Sequence, residues 1–382
     1  MDDTIKLDMT DIDFTKIEKY ISIDSKAVSD ILKQLGTVIN IKGSKLSRGI
    51  TLKVIDNTSV KVICPNELYY FEAELSCVTT FDKGTCIYID YTAIQKLSKF
   101  FHTDFYIFEV NNKLYIRLIT GNLELINPYL LKEELDKLER GYTIKPDKHY
   151  VYKVESLLHK LESLSHITDF EVEANKRWIN SRDGVVSFKS PLLMAKSNLD
   201  FIDAKIDYKV LNYLLYLCNN KSVSDNEIEL YEVNSTVIPR YAICFNNTIL
   251  VSDYPKSSDA MKVLNLFDDL PPFTVIDYYD LKYKMEYADS ITYAKGVVTF
   301  INRDGKLVGK IKLQNNSESE VEIPVLGEMC LKKTEQIKVN FRILLIALTA
   351  LNPDPDLPTY FGLRDGLLYL INDNISLAMV TF

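Results

Sequence analysis

The side chains able to do chemistry are few and scattered. The 382 residues contain four histidines, His102, His149, His159 and His166. His159 and His166 stand a heptad apart in an amphipathic stretch, where they read as two positions on a helix surface rather than a metal pair. Asp354 and Asp356 are close together in NPDPDLP. That run lacks the ligand spacing and glycine of a calcium loop, and reads as a proline-rich stop after a helix. Cys64, Cys77, Cys86, Cys218, Cys244 and Cys330 show no CxxC spacing. They fit buried thiols of a reducing compartment better than zinc ligands or disulfides. No GxSxG, HExxH, Walker A or GxGxxG pattern occurs. The expectation is a protein with no catalytic residues, no metal and no cofactor.

What remains is charge and apolar surface. Lys33, Lys96, Lys99, Lys160, Lys209, Lys282, Lys284 and Arg342 fall in helix-forming stretches, and Lys42, Lys45 and Arg48 in the loop KGSKLSRG. Each alone reads as a solvated charge; gathered on one surface they would offer phosphates transient or water-mediated contacts. A net charge of −8 argues against a protein that coats nucleic acid, but not against basic residues collected on a single face. The opening MDDTIKLDMTDIDF has neither the basic region nor the apolar core of a signal peptide. No apolar run approaches the ~20 residues of a membrane span. A cytoplasmic protein is expected. Hydrophobic residues at 47% and charged residues at 26% suit a globular chain with several cores, and 24 Tyr with 17 Phe lean it toward strand.

The elements that must position these residues recur three times. IDYTAIQKL at Ile89 returns as IDYKVLNYL at Ile206 and as VNFRILLIA at Val339. Each has a β-branched residue, then Asp90, Asp207 or Asn340 as a helix N-cap, then an aromatic. Ile94 and Leu97, Leu211 and Leu214, and Leu344 and Ala347 then share one face. A strand followed by an amphipathic helix precedes each of these, at 20–39, 149–168 and 273–292. Between the two helices lie alternating strands, with Asp183-Gly184 and Asp304-Gly305 as hairpin signals. Each repeat ends in more strands. The expected division is an acidic leader (1–19), repeat one (20–130), a charged connector (131–148), repeat two (149–255), a second connector (256–272) and repeat three (273–382).

An α+β unit with two helices on one face of antiparallel sheet, repeated three times from Tyr20 to Phe382, resembles the bacterial beta sliding clamp. The end matches best: NFRILLIALTAL, two strands, then SLAMVTF. The resemblance implies a DNA polymerase processivity factor that encircles duplex DNA without reading its sequence. It would do so as a ring-forming head-to-tail homodimer, associated with the nucleoid. It also implies partner sites for the polymerase and the clamp loader, which dock short Leu/Phe peptides in an apolar pocket. The matching positions are Phe188, Leu192, Leu193, Pro255, Leu377, Met379, Val380 and Phe382. The dimer is expected where the alternating strand of Leu123 and Leu125 meets the region of Ile291 in a second copy.

The Lys-, Asn-, Ile- and Tyr-rich usage fits an AT-rich bacterium, or a phage or plasmid carrying its own clamp. Two features point the other way. Asn212, Tyr213 and Tyr216, and Leu345 and Ile346 beside Arg342, depart from a strongly basic lining. They favour, as the competing reading, a clamp-fold scaffold or transcription accessory protein that does not encircle DNA. LNLF at 264–267 resembles the Leu-Phe peptides that bind clamps, and reads first as a connector packing its own apolar residues.

Overall fold

All three sequence-predicted caps hold their helices. Asp90 accepts hydrogen bonds from the Thr92 and Ala93 amides at 3.0 and 3.2 Å. Asp207 accepts from Lys209 at 2.8 Å, and Asn340 from Ile343 at 3.2 Å. The first helices of repeats one and three use the same device, with Asp24 accepting from Ala27 at 2.8 Å and Asp277 from Asp280 at 2.9 Å. Each bond satisfies an amide that the first helical turn leaves without an internal partner.

This computed structural model describes residues 5–8, 12–39, 46–65, 69–131, 133–134, 144–168, 178–182, 185–189, 192–198, 201–219, 227–234, 239–254, 265–292, 296–312, 318–351 and 357–382. The N-terminal region contributes β1 (Ile5–Asp8). Repeat one then runs β2 (Lys19–Asp24), α1 (Ser25–Val38), β3 (Gly49–Val54), β4 (Ser59–Pro65), β5 (Tyr69–Thr79), β6 (Cys86–Asp90), α2 (Tyr91–Leu97), β7 (Asp104–Val110), β8 (Lys113–Leu118) and β9 (Gly121–Leu125). Repeat two runs β10 (Ile144–Lys153), α3 (Val154–Thr168), β11 (Trp178–Arg182), β12 (Val185–Lys189), β13 (Leu193–Ser197), β14 (Ala204–Asp207), α4 (Tyr208–Asn219), β15 (Glu227–Val233), β16 (Arg240–Phe245) and β17 (Thr248–Asp253). Repeat three runs β18 (Phe273–Ile276), α5 (Tyr278–Thr292), β19 (Val297–Arg303), β20 (Lys306–Lys312), β21 (Glu318–Ile323), β22 (Val325–Leu326), β23 (Gln336–Asn340), α6 (Phe341–Leu351), β24 (Thr359–Arg364), β25 (Leu367–Ile371) and β26 (Ser376–Val380). The threefold order of strand, helix, strands, helix, strands is therefore present.

The helices bury one stripe each, at the i, i+3, i+4 spacing that a 3.6-residue period requires. Val28, Ile31, Leu32 and Leu35 do so on α1, and Ile343, Leu344, Ala347 and Leu348 on α6. At about 1.5–3 kcal/mol for each fully buried apolar side chain, these stripes dominate what holds helix to sheet. A buried tyrosine ties the helix pair in repeats one and three. Tyr91 donates to the Leu32 carbonyl at 3.0 Å, and Tyr278 to the Leu348 carbonyl at 2.6 Å.

Compactness divides the chain into two units rather than three repeats. One comprises 1–153 and 220–254, the other 154–219 and 255–382. The reason is strand pairing between repeats. In the first unit β17 of repeat two pairs with β5 of repeat one, Leu250 opposite Phe71. In the second unit β13 of repeat two pairs with β26 of repeat three, Leu193 opposite Met379. Backbone hydrogen bonds thus run on from one repeat into the next, and the edges that β5, β17, β13 and β26 present at these joints are covered.

Residues 5–8 correct the expectation of a mere acidic leader. They form β1, antiparallel to β9, with Ile5 opposite Leu125 and Leu7 opposite Leu123. The Asp-Gly hairpins stand at 304–305, with φ of 53° and 83°, and again at 365–366, with φ of 49° and 74°. Such left-handed pairs match the twist of the flanking strands. Asp183-Gly184, Asp354 and Asp356 lie outside the described residues.

Candidate functional site

The C-terminal strand is central, not marginal. β26 lies between β13 and β25, so alternate residues face opposite sides of the sheet. Leu377 and Met379 face the core and are fully buried, as is Leu193 opposite Met379. These three, expected to line an open pocket, are core residues instead. Ala378 and Val380 face the other way. There Ala378 stands between Met194 and Tyr369 on the flanking strands, and the three cluster with Phe267. Val380 and Leu192 are half-buried, and Phe382, 65% exposed, follows Ala378 and Val380 by alternation. The apolar surface at this end of the chain is therefore the Ala378–Val380–Phe382 face. Phe188 lies on β12 opposite Ala195, and Pro255 lies outside the described residues.

This face carries a strap made by the second connector. Residues 265–267 form a short turn whose Phe267 ring meets Tyr369 edge-on, 6.1 Å between centroids. The Tyr369 hydroxyl donates to the Leu266 carbonyl at 3.2 Å. Arg364 holds Asp269 through its carboxylate and its carbonyl, and that guanidinium keeps the Asp269 carboxyl below its ordinary range. Burial pushes the Tyr369 phenol up. Pro271 and Phe273 lie so close to Gly362 that a β-carbon there would come within 2.9 Å of both. Met194, Leu367 and Tyr369 were missed from sequence, although the parity of the tail, set by Leu377 and Met379, points to them.

The basic residues are placed less uniformly than expected. Lys96, Lys99 and Arg342 are exposed, with the Lys99 ammonium 5.1 Å from the Phe100 ring centroid. Lys33 is exposed and 3.3 Å from Asp30. Lys209 is half-buried in the first turn of α4, and Lys160 is a position on α3. Lys282 is 4.0 Å from Glu286. Lys284 is engaged by the Asp280 carboxylate and the Glu322 carbonyl, which leaves it poorly placed for a phosphate. Arg48 has its Nε buried without a hydrogen-bond partner, and Lys42 and Lys45 lie outside the described residues. The exposed ridge of α5 is aromatic: Tyr279, Tyr283 and Tyr287 are each more than half exposed at i, i+4, i+8. The Tyr283 and Tyr287 rings stack with centroids 6.3 Å apart.

Of the strands that end the sheets, two bear on the expected joint. β1 closes one end of the sheet of the first unit, and β9, expected to be bare, is covered by it; Leu123 and Leu125 are buried. In repeat three the sheet ends on β21, while Ile291 belongs to the end of α5. On β21, Glu320 is gripped by both Arg303 guanidinium nitrogens at 2.7 and 2.8 Å, which lowers its carboxyl to about 2.

No group of three or more His, Cys, Asp or Glu side chains able to hold a metal occurs among the described residues. All six cysteines are free thiols, and burial pushes those of Cys64 and Cys218 up to about 12. Among the described residues no helix is long and apolar enough to cross a membrane.

No protein-family model and no curated protein matches the chain. Solved structures do. A putative DNA polymerase III beta subunit from Eubacterium rectale superimposes with a TM-score of 0.75 at 12% identity, over 95% of this chain and 99% of that one. The DNA polymerase III beta chain of Streptococcus pneumoniae gives 0.74 at 13% identity over 95% and 99%. The beta sliding clamp of C. crescentus gives 0.74 at 11% identity over 95% and 98%. This chain has the sliding-clamp fold. The clamp fold here is α+β, with six helices among the described residues packed on extended antiparallel sheets. Its length matches the clamps it superimposes on, so the likeness is to whole chains rather than to one repeat.

Proposed function

We propose that the chain is a sliding clamp, a processivity factor without enzymatic activity that closes head to tail with a second copy around duplex DNA. The observation that carries this reading is the way successive repeats join. β17 adds to β5 and β13 adds to β26 edge to edge. Repetition of that joint between the β9 side of repeat one and β21 of repeat three, in two chains, gives a closed ring of six repeats with those two sheet ends paired. DNA would then be held by topology, which needs neither sequence-reading side chains nor a strongly basic surface. Lys33, Lys96, Lys99, Lys160, Lys209, Lys282 and Arg342 would supply the phosphate contacts. The Ala378–Val380–Phe382 face would receive Leu/Phe peptides of a polymerase and a clamp loader. The protein would work in the cytoplasm, at the nucleoid.

Light scattering at micromolar concentration tests the assembly. The expected mass is about twice the 43.9 kDa of the chain. A protein that stays monomeric at all concentrations refutes the ring.

A clamp-fold scaffold that does not encircle DNA is the second reading. Three observations favour it: the acid-engaged Lys284, the tyrosine ridge of α5, and the cover that β1 places on β9. It predicts a monomer with no preference for circular DNA.

A further inference from the structure

We propose that the second connector is a resident ligand of the partner face, and that a partner peptide binds there by displacing the chain's own Leu266–Phe267 pair. The inference rests on the reading of that face as the partner site, and adds how access to it is controlled.

The face has a dent, and the connector fills it. Ala378 is a small residue flanked in register by two large ones, Met194 on one side and Tyr369 on the other. A small side chain between two large ones leaves a hollow. Phe267 occupies it and is only 6% exposed, with Leu266 beside it against the same cluster. Polar contacts from two side chains fix the register of the strap. The Tyr369 hydroxyl reads the Leu266 carbonyl, and Arg364 reads the acidic residue two positions after the phenylalanine. The site therefore recognises an extended or turned segment with adjacent Leu and Phe followed by a carboxylate. A free partner segment of that chemistry meets a site already filled.

The filling is reversible in principle, because it is shallow and local. It rests on the Leu266 and Phe267 side chains and on the polar contacts of Tyr369 and Arg364 at the rim, not on strand pairing. Residues 265–267 form a single turn, and β18 begins only at Phe273. As a tethered competitor the strap acts at an effective concentration on the order of millimolar, so it suppresses a micromolar free peptide by about tenfold or more. Strong partners, or those that dock elsewhere at the same time, would open the face; weak ones would not.

The probe is a fluorescein-labelled peptide with the sequence of residues 262–270, KVLNLFDDL, titrated by anisotropy against the full chain and against the double variant Leu266→Ser, Phe267→Ser. The variant is expected to bind at least tenfold more tightly than the unsubstituted chain. Equal affinity, tighter binding to the unsubstituted chain, or binding to neither overturns the proposal. Hydrogen exchange on the unsubstituted chain provides the second arm and does not depend on the variant folding. Saturating peptide should speed exchange of the amides of 265–269; unchanged exchange overturns displacement. Failure of the ring would be seen separately, as a monomer that releases circular DNA while still showing the peptide result.

Discussion

Deleting Met379–Phe382 should do more than remove the partner face: it should unfold much of the second unit. Met379 is fully buried and paired with Leu193 on one side and Leu368 on the other. Loss of a buried side chain of that size costs about 2–5 kcal/mol. The deletion also removes three backbone bonds: Val380 to the Leu192 carbonyl at 3.0 Å, Thr381 to Gly366 at 2.9 Å and Phe382 to Lys338 at 2.9 Å. At about 0.5–1.5 kcal/mol each, they bring the total to roughly 3.5–9.5 kcal/mol. That is a large share of the ~5–15 kcal/mol by which a native domain is stable. Circular dichroism should show the melting midpoint falling by roughly 10 °C or more, at about 2–4 °C per kcal/mol for a unit of this size. Phe382→Ala is the matched control: the ring is 65% exposed, so stability should change by no more than about 0.5 kcal/mol. A deletion that melts within two or three degrees (~2–3 °C) of the intact chain would show that β26 is not core, and the argument from burial would fail.

Removing residues 1–11 should uncover β9 and strengthen self-association, read by sedimentation velocity as a lower dimer dissociation constant; weaker association would mean that β1 is part of the joint rather than a cover over it. Replacing Lys96, Lys99, Lys209 and Lys282 together with Gln should flatten the salt dependence of DNA binding in filter-binding titrations, whereas Lys284→Gln should leave it unchanged because Asp280 and the Glu322 carbonyl already engage that ammonium. The Glu320 carboxyl is held at about 2, below its ordinary 4.5, so the stabilisation it gives is fully present above about pH 4.5 and is lost as pH falls toward 2. Urea melts across that window should show a smaller decline in Glu320→Gln, and an identical decline would remove Arg303–Glu320 as its source. Cys64 should resist a thiol reagent at neutral pH until the chain unfolds, because burial pushes its thiol up to about 12.

The parts of the fold that were legible in the sequence are those set by local chemistry. A cap residue, an aromatic and a helical stripe identify themselves within nine residues, which is why Asp90, Asp207 and Asn340 could be read three times over. The Asp-Gly turns at 304–305 and 365–366 are local in the same sense. What escaped was decided by pairing over long distances or by parity. β1 is a strand only because β9, more than a hundred residues away, offers it an edge. The tail was recognisable as apolar, but which of its residues face outward depends on the register with β13 and β25, so Leu377 and Met379 were assigned to the surface and Ala378 was passed over. The ridge of α5 also went unread: Leu281 and Met285 are the buried stripe, and Tyr279, Tyr283 and Tyr287 face solvent.

Retention on DNA tests the ring most directly. The protein is assembled on a nicked circular plasmid, separated from free protein by gel filtration at raised salt, and the complex is then linearised with a restriction enzyme. A sliding clamp should stay with the circle through salt that abolishes simple phosphate contacts, and should run off once ends are made. Equal retention before and after cutting, or loss from the circle at the same salt as from linear DNA, would contradict it.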